Sequence, residues 1–112
     1  MDKAIISENE SAAASLIQAE RARQIGKGFT PEFDDRHKMS ELAIAASVLA
    51  MPVYWRTPDL LSRWPWEPDD PCQPPAKSDD ELQNLVKAGA LIHAEIGRLL
   101  RTRLPDFYEY SG

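Results

Sequence analysis

The stretch Ser78-Asp79-Asp80-Glu81-Leu82-Gln83-Asn84-Leu85-Val86-Lys87-Ala88-Gly89-Ala90-Leu91-Ile92-His93-Ala94-Glu95-Ile96-Gly97-Arg98-Leu99-Leu100-Arg101-Thr102 decides the fold. Leu82, Leu85, Gly89, Ile92, Ile96 and Leu99 recur at alternating spacings of three and four, the signature of one helix face. Val86, Ala90, His93, Gly97 and Leu100 widen the stripe. So broad an apolar face predicts burial on more than one side, at a bundle centre or in a helix shared between subunits. His93 lies within the stripe and is expected to be buried, with one hydrogen-bond partner. Ser78 and Glu81 have the S-x-x-E spacing of a capping box, whose side chains satisfy free backbone donors at a helix start. Arg98, Arg101 and Arg103 suit the negative pole of the helix dipole, and Pro105 ends the run. Gly89 and Gly97 each cost about 1 kcal/mol relative to alanine in a helix interior, so close backbone packing is the simplest gain to offset them.

Working back towards the start, Ser7 and Glu10 form another capping box, and good helix formers run from there to Ile25. Gly26 and Gly28 stop that first helix, expected over residues 8–25. Thr30-Pro31 has the form of a cap followed by a first-turn proline. Leu42, Ala45, Ala46 and Leu49 predict a second helix from about 37 to 50, ended by Pro52. Its small residues Ala43, Ala46 and Ala50 leave room for a neighbouring helix. Thr57-Pro58-Asp59 repeats the cap-then-proline signal and opens a short helix to about Trp64. Residues 65–77 hold five prolines and three acids, a loop, while Trp64 and Trp66 are expected to bury their rings. Val53-Tyr54-Trp55 is the one β-prone triplet, too short to make a sheet. The fold class is therefore all-α: a small helical bundle of three main helices plus one short helix, completed by oligomerisation. Residues 1–112 form a single helical domain, with 1–7 and 105–112 as flexible tails.

A chain of 112 residues is one domain's worth, and one this small buries only about 60–65% of its unfolded surface. A homo-oligomer widens that thin margin. Eighteen acidic against thirteen basic residues give a formal charge of −5, with no basic stripe interleaved with aromatics. A nucleic-acid polymer is thus not an expected partner. A small nucleotide is a different case, since two or three local cations suffice for it. Cys72 is the only cysteine, so it forms no internal disulfide and no cysteine-based zinc site. The start has no apolar leader and no 18-residue apolar run occurs, so a cytoplasmic location without a membrane is expected.

Two polar clusters carry what chemistry the sequence offers. A helix beginning near Asp34 sets Asp34, His37 and Glu41 at i, i+3 and i+7 on one face, a set able to hold a divalent ion. Glu20, Arg23, Gln24 and Lys27 neighbour one another on the first helix and face the Asp34–Glu41 segment across the Gly26–Gly28 turn. They read either as a solvated face of weak ion pairs or as the wall of a pocket. As a pocket, Arg21, Arg23, Gln24 and Lys27 take phosphate or ribose, and Phe29 and Trp66 stack a base. Asp34, Asp35 and His37 then bond sugar hydroxyls or base edges. There is no glycine-rich phosphate loop, zinc spacing or nucleophile elbow, and no residue is assigned a catalytic role.

Glu20-Arg21-x-Arg23-Gln24, Gly28-Phe29-Thr30-Pro31-Glu32-x-Asp34-Asp35-x-His37 and Glu41-Leu42-Ala43-x-Ala45-Ala46 resemble a family of small phage and prophage proteins. The resemblance resumes at Trp64-Pro65-Trp66 and at Leu85 to Leu99, covering most of residues 20–100. That family has no assigned activity, so no catalytic residue comes with it. Residues 67–76 depart from it, being proline-rich where it has a more basic stretch. The order Arg-Gln, Gly-Phe, Glu-Leu-Ala and an Ala-rich last helix also looks like an all-α pyrophosphohydrolase of the MazG type. Those enzymes hold magnesium with paired E-x-x-E and E-x-x-D carboxylates, partners that Glu41 lacks here. The Gly28 to His37 string is similar to the ryanodine-receptor-type repeat domain, a suspected nucleotide-sensing module. The implied function is a phage-encoded binding protein that sequesters a nucleotide-derived host immune signal and needs no cofactor. Two alternatives stand beside it: a magnesium-dependent nucleotide phosphohydrolase with Asp34, His37 and Glu41 as ligands, and an inhibitor that binds a host defence protein through residues 65–77 and the aromatic tail.

Overall fold

Helix α1 spans Lys3–Gly26, α2 Pro31–Asp35, α3 Glu41–Ala50, α4 Pro58–Leu61 and α5 Glu81–Thr102, with a 3-10 turn at Val53–Trp55 between α3 and α4. The structure, a computed structural model, describes residues 3–36, 40–66 and 80–102. Among those residues there is no strand, and the all-α expectation holds. No helix among them is long and apolar enough to cross a membrane. The capping serine Ser78, Arg103, His37 and Cys72 lie outside the described residues, as does most of the proline-rich loop.

The two Thr-Pro signals act as expected. Thr30 Oγ1 accepts from the Phe33 amide at 3.2 Å and Thr57 Oγ1 from the Leu60 amide at 3.2 Å. Each satisfies a donor that a helix start leaves open. At the start of α5 the Asp80 carboxylate accepts from the Gln83 amide at 3.0 Å. The expected Ser7–Glu10 box does not start α1, which already runs from Lys3. Nothing between Lys3 and Ser7 breaks a helix, so Ser7 sits inside it rather than at its head, and residues 3–7 are helix rather than tail. Gly28, at φ +108°, turns the chain out of α1 in a conformation that glycine adopts without steric cost.

The second helix is shorter than its apolar period suggested. Ser40 stands in the left-handed region at φ 66°, ψ 22°, and α3 begins only at Glu41. Asp34 and Glu41 therefore belong to different helices rather than to one helix face, and His37 lies outside the described residues. Within α3 the side chains turned inward are Leu42, Ala45, Ala46, Val48 and Leu49, while Ala43 and Ala50 are exposed.

Helix α5 is the hub, packing against α3, α1 and α2. Its core face is not the expected stripe. Ala88, Leu91 and Ala94 meet Leu42, Ala45, Ala46 and Leu49 of α3, with Trp64 and Trp66 covering the cluster. Asn84, Glu95 and Arg98 share that buried arc. Leu82, Leu85, Ile92 and Ile96 are instead 47–65% exposed, and His93 is exposed rather than buried. The physical reason is size. Alanine facing alanine lets two helix axes approach closely, and leucine or isoleucine there would hold them apart. The larger residues are left on the outer side of α5.

Candidate functional site

Helix α1 turns Ile17, Glu20, Arg21 and Gln24 towards the rest of the molecule, residues three or four apart along one face. The Gly26–Gly28 turn then reverses the chain, and the Phe29 amide bonds the Gln24 carbonyl at 3.0 Å. That places α2 beside the last turns of α1. Arg21, 8% exposed, donates to the Phe29 carbonyl at 2.8 Å and pairs with Asp34 Oδ2. Asp34 is only 1% exposed. Its other oxygen, Oδ1, and Gln24 Oε1 are buried without a hydrogen-bond partner among the described residues. Asp34 is paired with Arg21 through its other oxygen, and Gln24 lies one turn after Arg21 on α1.

Other pairs extend this polar layer. Arg23 grips Glu20 through two hydrogen bonds, 2.8 and 2.6 Å, and Gln24 Nε2 adds a third at 3.1 Å. Arg101 of α5 reaches α2, donating to Asp35 at 2.7 Å and to the Pro31 carbonyl at 3.3 Å. Arg98 and Glu95 form a buried two-bond pair, 2.6 and 3.1 Å, one turn apart on α5. Glu95, Arg98 and Arg101 were not candidates from sequence, where the arginines read as complements to the helix dipole. Their signal was positional: Glu95 follows Ala88, and Arg98 follows Leu91, by seven residues, which puts charge on the core-facing arc.

The expected site residues divide accordingly. Arg21, Gln24, Phe29 and Asp34 come together. Asp35 belongs to Arg101, Arg23 to Glu20, and Lys27 is exposed on the turn. Phe29 stacks edge-on against Phe33 at 5.2 Å, whereas Trp66 stands against Trp64 at 5.3 Å on the apolar core. The two rings expected to hold a base thus have different neighbours. No group of three metal-ligating side chains occurs among the described residues. A cleft of about 90 Å³ lies elsewhere, lined by Leu49, Met51, Pro52, Tyr54 and Asn84. It is well below the roughly 300 Å³ at which small-molecule pockets begin.

The two acids of the layer respond oppositely to pH. The hydrogen bonds from Arg23 hold Glu20 below the ordinary carboxylate range. That contribution to stability is present above the ordinary value and is lost as pH falls through the lowered one. Burial pushes Asp34 above its ordinary range, with the charge and hydrogen bond of Arg21 pulling the other way. Its contribution is present below about pH 4 and declines as pH rises through the raised value. Melting temperatures between pH 4 and 7 should therefore show the wild type falling relative to Asp34→Asn. Parallel curves would sink this assignment.

As a whole, the layer is a set of ion pairs with two buried acceptors that have no partner among the described residues. It offers hydrogen-bond acceptance inside and, at its rim, the exposed Lys27 beside the Arg23–Glu20 pair. Comparisons with protein-family models, with curated proteins and with solved structures return no match, so the chemistry of this layer has to be read from the chain's own residues.

Proposed function

We propose that this chain is a binding protein that sequesters a nucleotide-derived signal, such as a cyclic nucleotide or a cyclic ADP-ribose variant, working as a homo-oligomer. The observation that carries the reading is that Asp34 Oδ1 and Gln24 Oε1 are buried without a hydrogen-bond partner among the described residues, while the other Asp34 oxygen pairs with Arg21. A buried acceptor without a donor costs about 1–3 kcal/mol, so a ligand that brings donors there gains by relieving it. Ribose hydroxyls and exocyclic amino groups are such donors. Phe29 supplies an aromatic face close by, and Lys27 and Arg23 meet a phosphate at the rim. The resemblance to small phage and prophage proteins gives the setting, interception of a host antiviral signal in the cytosol. No second activity is favoured, since Asp34 and Glu41 stand on separate helices and Asp34 is already engaged by Arg21.

Purified protein incubated with a panel of cyclic nucleotides and ADP-ribose derivatives, then filtered, tests the reading. One ligand should leave the filtrate and return chemically intact after heat denaturation. Phe29→Ala and Lys27→Ala should each weaken its retention about tenfold, some 1.4 kcal/mol, with helix content unchanged. If every compound stays in the filtrate, sequestration is wrong. If the retained compound returns altered, the protein is an enzyme.

A further inference from the structure

Two arginines from different helices grip α2. Arg21 of α1 pairs with Asp34 and donates to the Phe29 carbonyl at 2.8 Å. Arg101 of α5 donates twice to Asp35 Oδ1, at 3.0 and 2.7 Å, and once to the Pro31 carbonyl at 3.3 Å. The apolar cluster between α3 and α5 contains no residue of α2, and the side chain that α2 buries is the Asp34 carboxylate. The two grips differ in setting. The Arg21–Asp34 side chains are 10% and 1% exposed, whereas those of Arg101 and Asp35 are 36% and 48% exposed.

The backbone on either side permits α2 to turn. Gly28 leads into it at φ +108°, exposed and with no described atom within 4 Å of where a Cβ would stand. Beyond it, α3 starts afresh at Glu41 behind the left-handed Ser40, so α2 and α3 are not one rigid rod. Arg21 itself is 8% exposed and already bonds Asp34 and the Phe29 carbonyl. A phosphate group reaches that guanidinium only after Asp34 withdraws. One methylene separates the Asp34 carboxylate from the backbone, so it withdraws only together with α2.

We infer that α2 is a hinged cover over Arg21, closed by the Arg101–Asp35 contact, and that a phosphate-bearing ligand replaces Asp34 on Arg21 when the cover swings about Gly28. The ligand class rests on the preceding reading; the cover does not. Closed, the chain's own carboxylates neutralise both arginines. Open, Arg21 presents a planar fork that matches paired phosphate oxygens. An exposed ion pair suits such a closure, because it is weak and screened by salt.

Hydrogen exchange of the full chain, read by mass spectrometry on its peptides, tests the cover without any ligand. The amides of Phe29, Asp34 and Arg36 are bonded at 3.0, 2.9 and 3.1 Å and report on residues 29–36. They should exchange through a local opening, ahead of 42–49 in α3. Arg101→Gln should speed them about fivefold, the upper range for an exposed ion pair, and leave 42–49 unchanged. No change in 29–36, or an equal change in 42–49, overturns the cover. Millimolar inorganic pyrophosphate, against sodium chloride of equal ionic strength, probes Arg21. It should speed 29–36 further in the wild type and in Arg101→Gln alike. An effect lost in Arg101→Gln puts the anion on Arg101 instead, and no effect in either removes phosphate from Arg21. A cover that opens as expected, in a protein that retains no nucleotide on the filter, sinks sequestration and leaves the cover standing.

Discussion

Arg21→Ala is expected to lower the unfolding free energy by about 3–5 kcal/mol at neutral pH. The substitution leaves the Asp34 carboxylate buried, with neither oxygen bonded by a described residue, in a domain whose total stability is on the order of 5–15 kcal/mol. Most such protein would be unfolded at 37 °C if the wild type lies at the low end. The loss should shrink in acid, because Asp34, already pushed upward by burial, takes up a proton once its counter-charge is gone. Replacing both partners, Arg21→Met with Asp34→Leu, should recover most of it, since two apolar groups leave no buried charge. Urea titrations of the three chains at pH 5 and pH 7.5 decide the matter. A single substitution that costs under 1 kcal/mol would show that the pair is solvated in solution.

Leu42→Ala should cost about 2–5 kcal/mol. Leu42 is 1% exposed, the most deeply buried of the leucines in the cluster between α3 and α5. Its neighbours there, Ala45, Ala46, Ala88 and Ala94, are too short to move into the space it vacates, so the cavity stays open. The same change at Leu61, 40% exposed on α4, should stay within about 0.5 kcal/mol. Equal effects at the two positions would contradict the core described above.

Element type was legible in the sequence because it is set locally. The Thr30-Pro31 and Thr57-Pro58 caps need only neighbouring residues, and both behave as read. The direction of α5 was not legible. Hydrophobic periodicity identifies the largest apolar side chains and assigns them to the interior, yet here the interior face is alanine with Asn84, Glu95 and Arg98. Small residues score weakly on any hydrophobic scale, although their spacing on both α3 and α5 was the true signal. His93 was misplaced for the same reason. In the candidate site, Arg21, Gln24 and Asp34 were legible as a group because they flank one tight turn. Arg101 was not, because its partner Asp35 lies 66 residues earlier and nothing local connects them. Ser40 interrupted the expected helix through a left-handed backbone that its residue type does not announce.

The hub position of α5 also sets the order in which the molecule comes into being. During synthesis, at about 5–20 residues per second, α1 through α4 emerge before the α5 face on which α3 closes. Leu42, Ala45 and Leu49 must wait for Ala88 and Leu91, and Asp35 for Arg101. These are contacts of high sequence separation, the kind that slows folding relative to other helical proteins of the same size. A nascent chain cut short before residue 88 thus holds the apolar face of α3 without the α5 residues that close it, a substrate for proteases rather than a partly working protein.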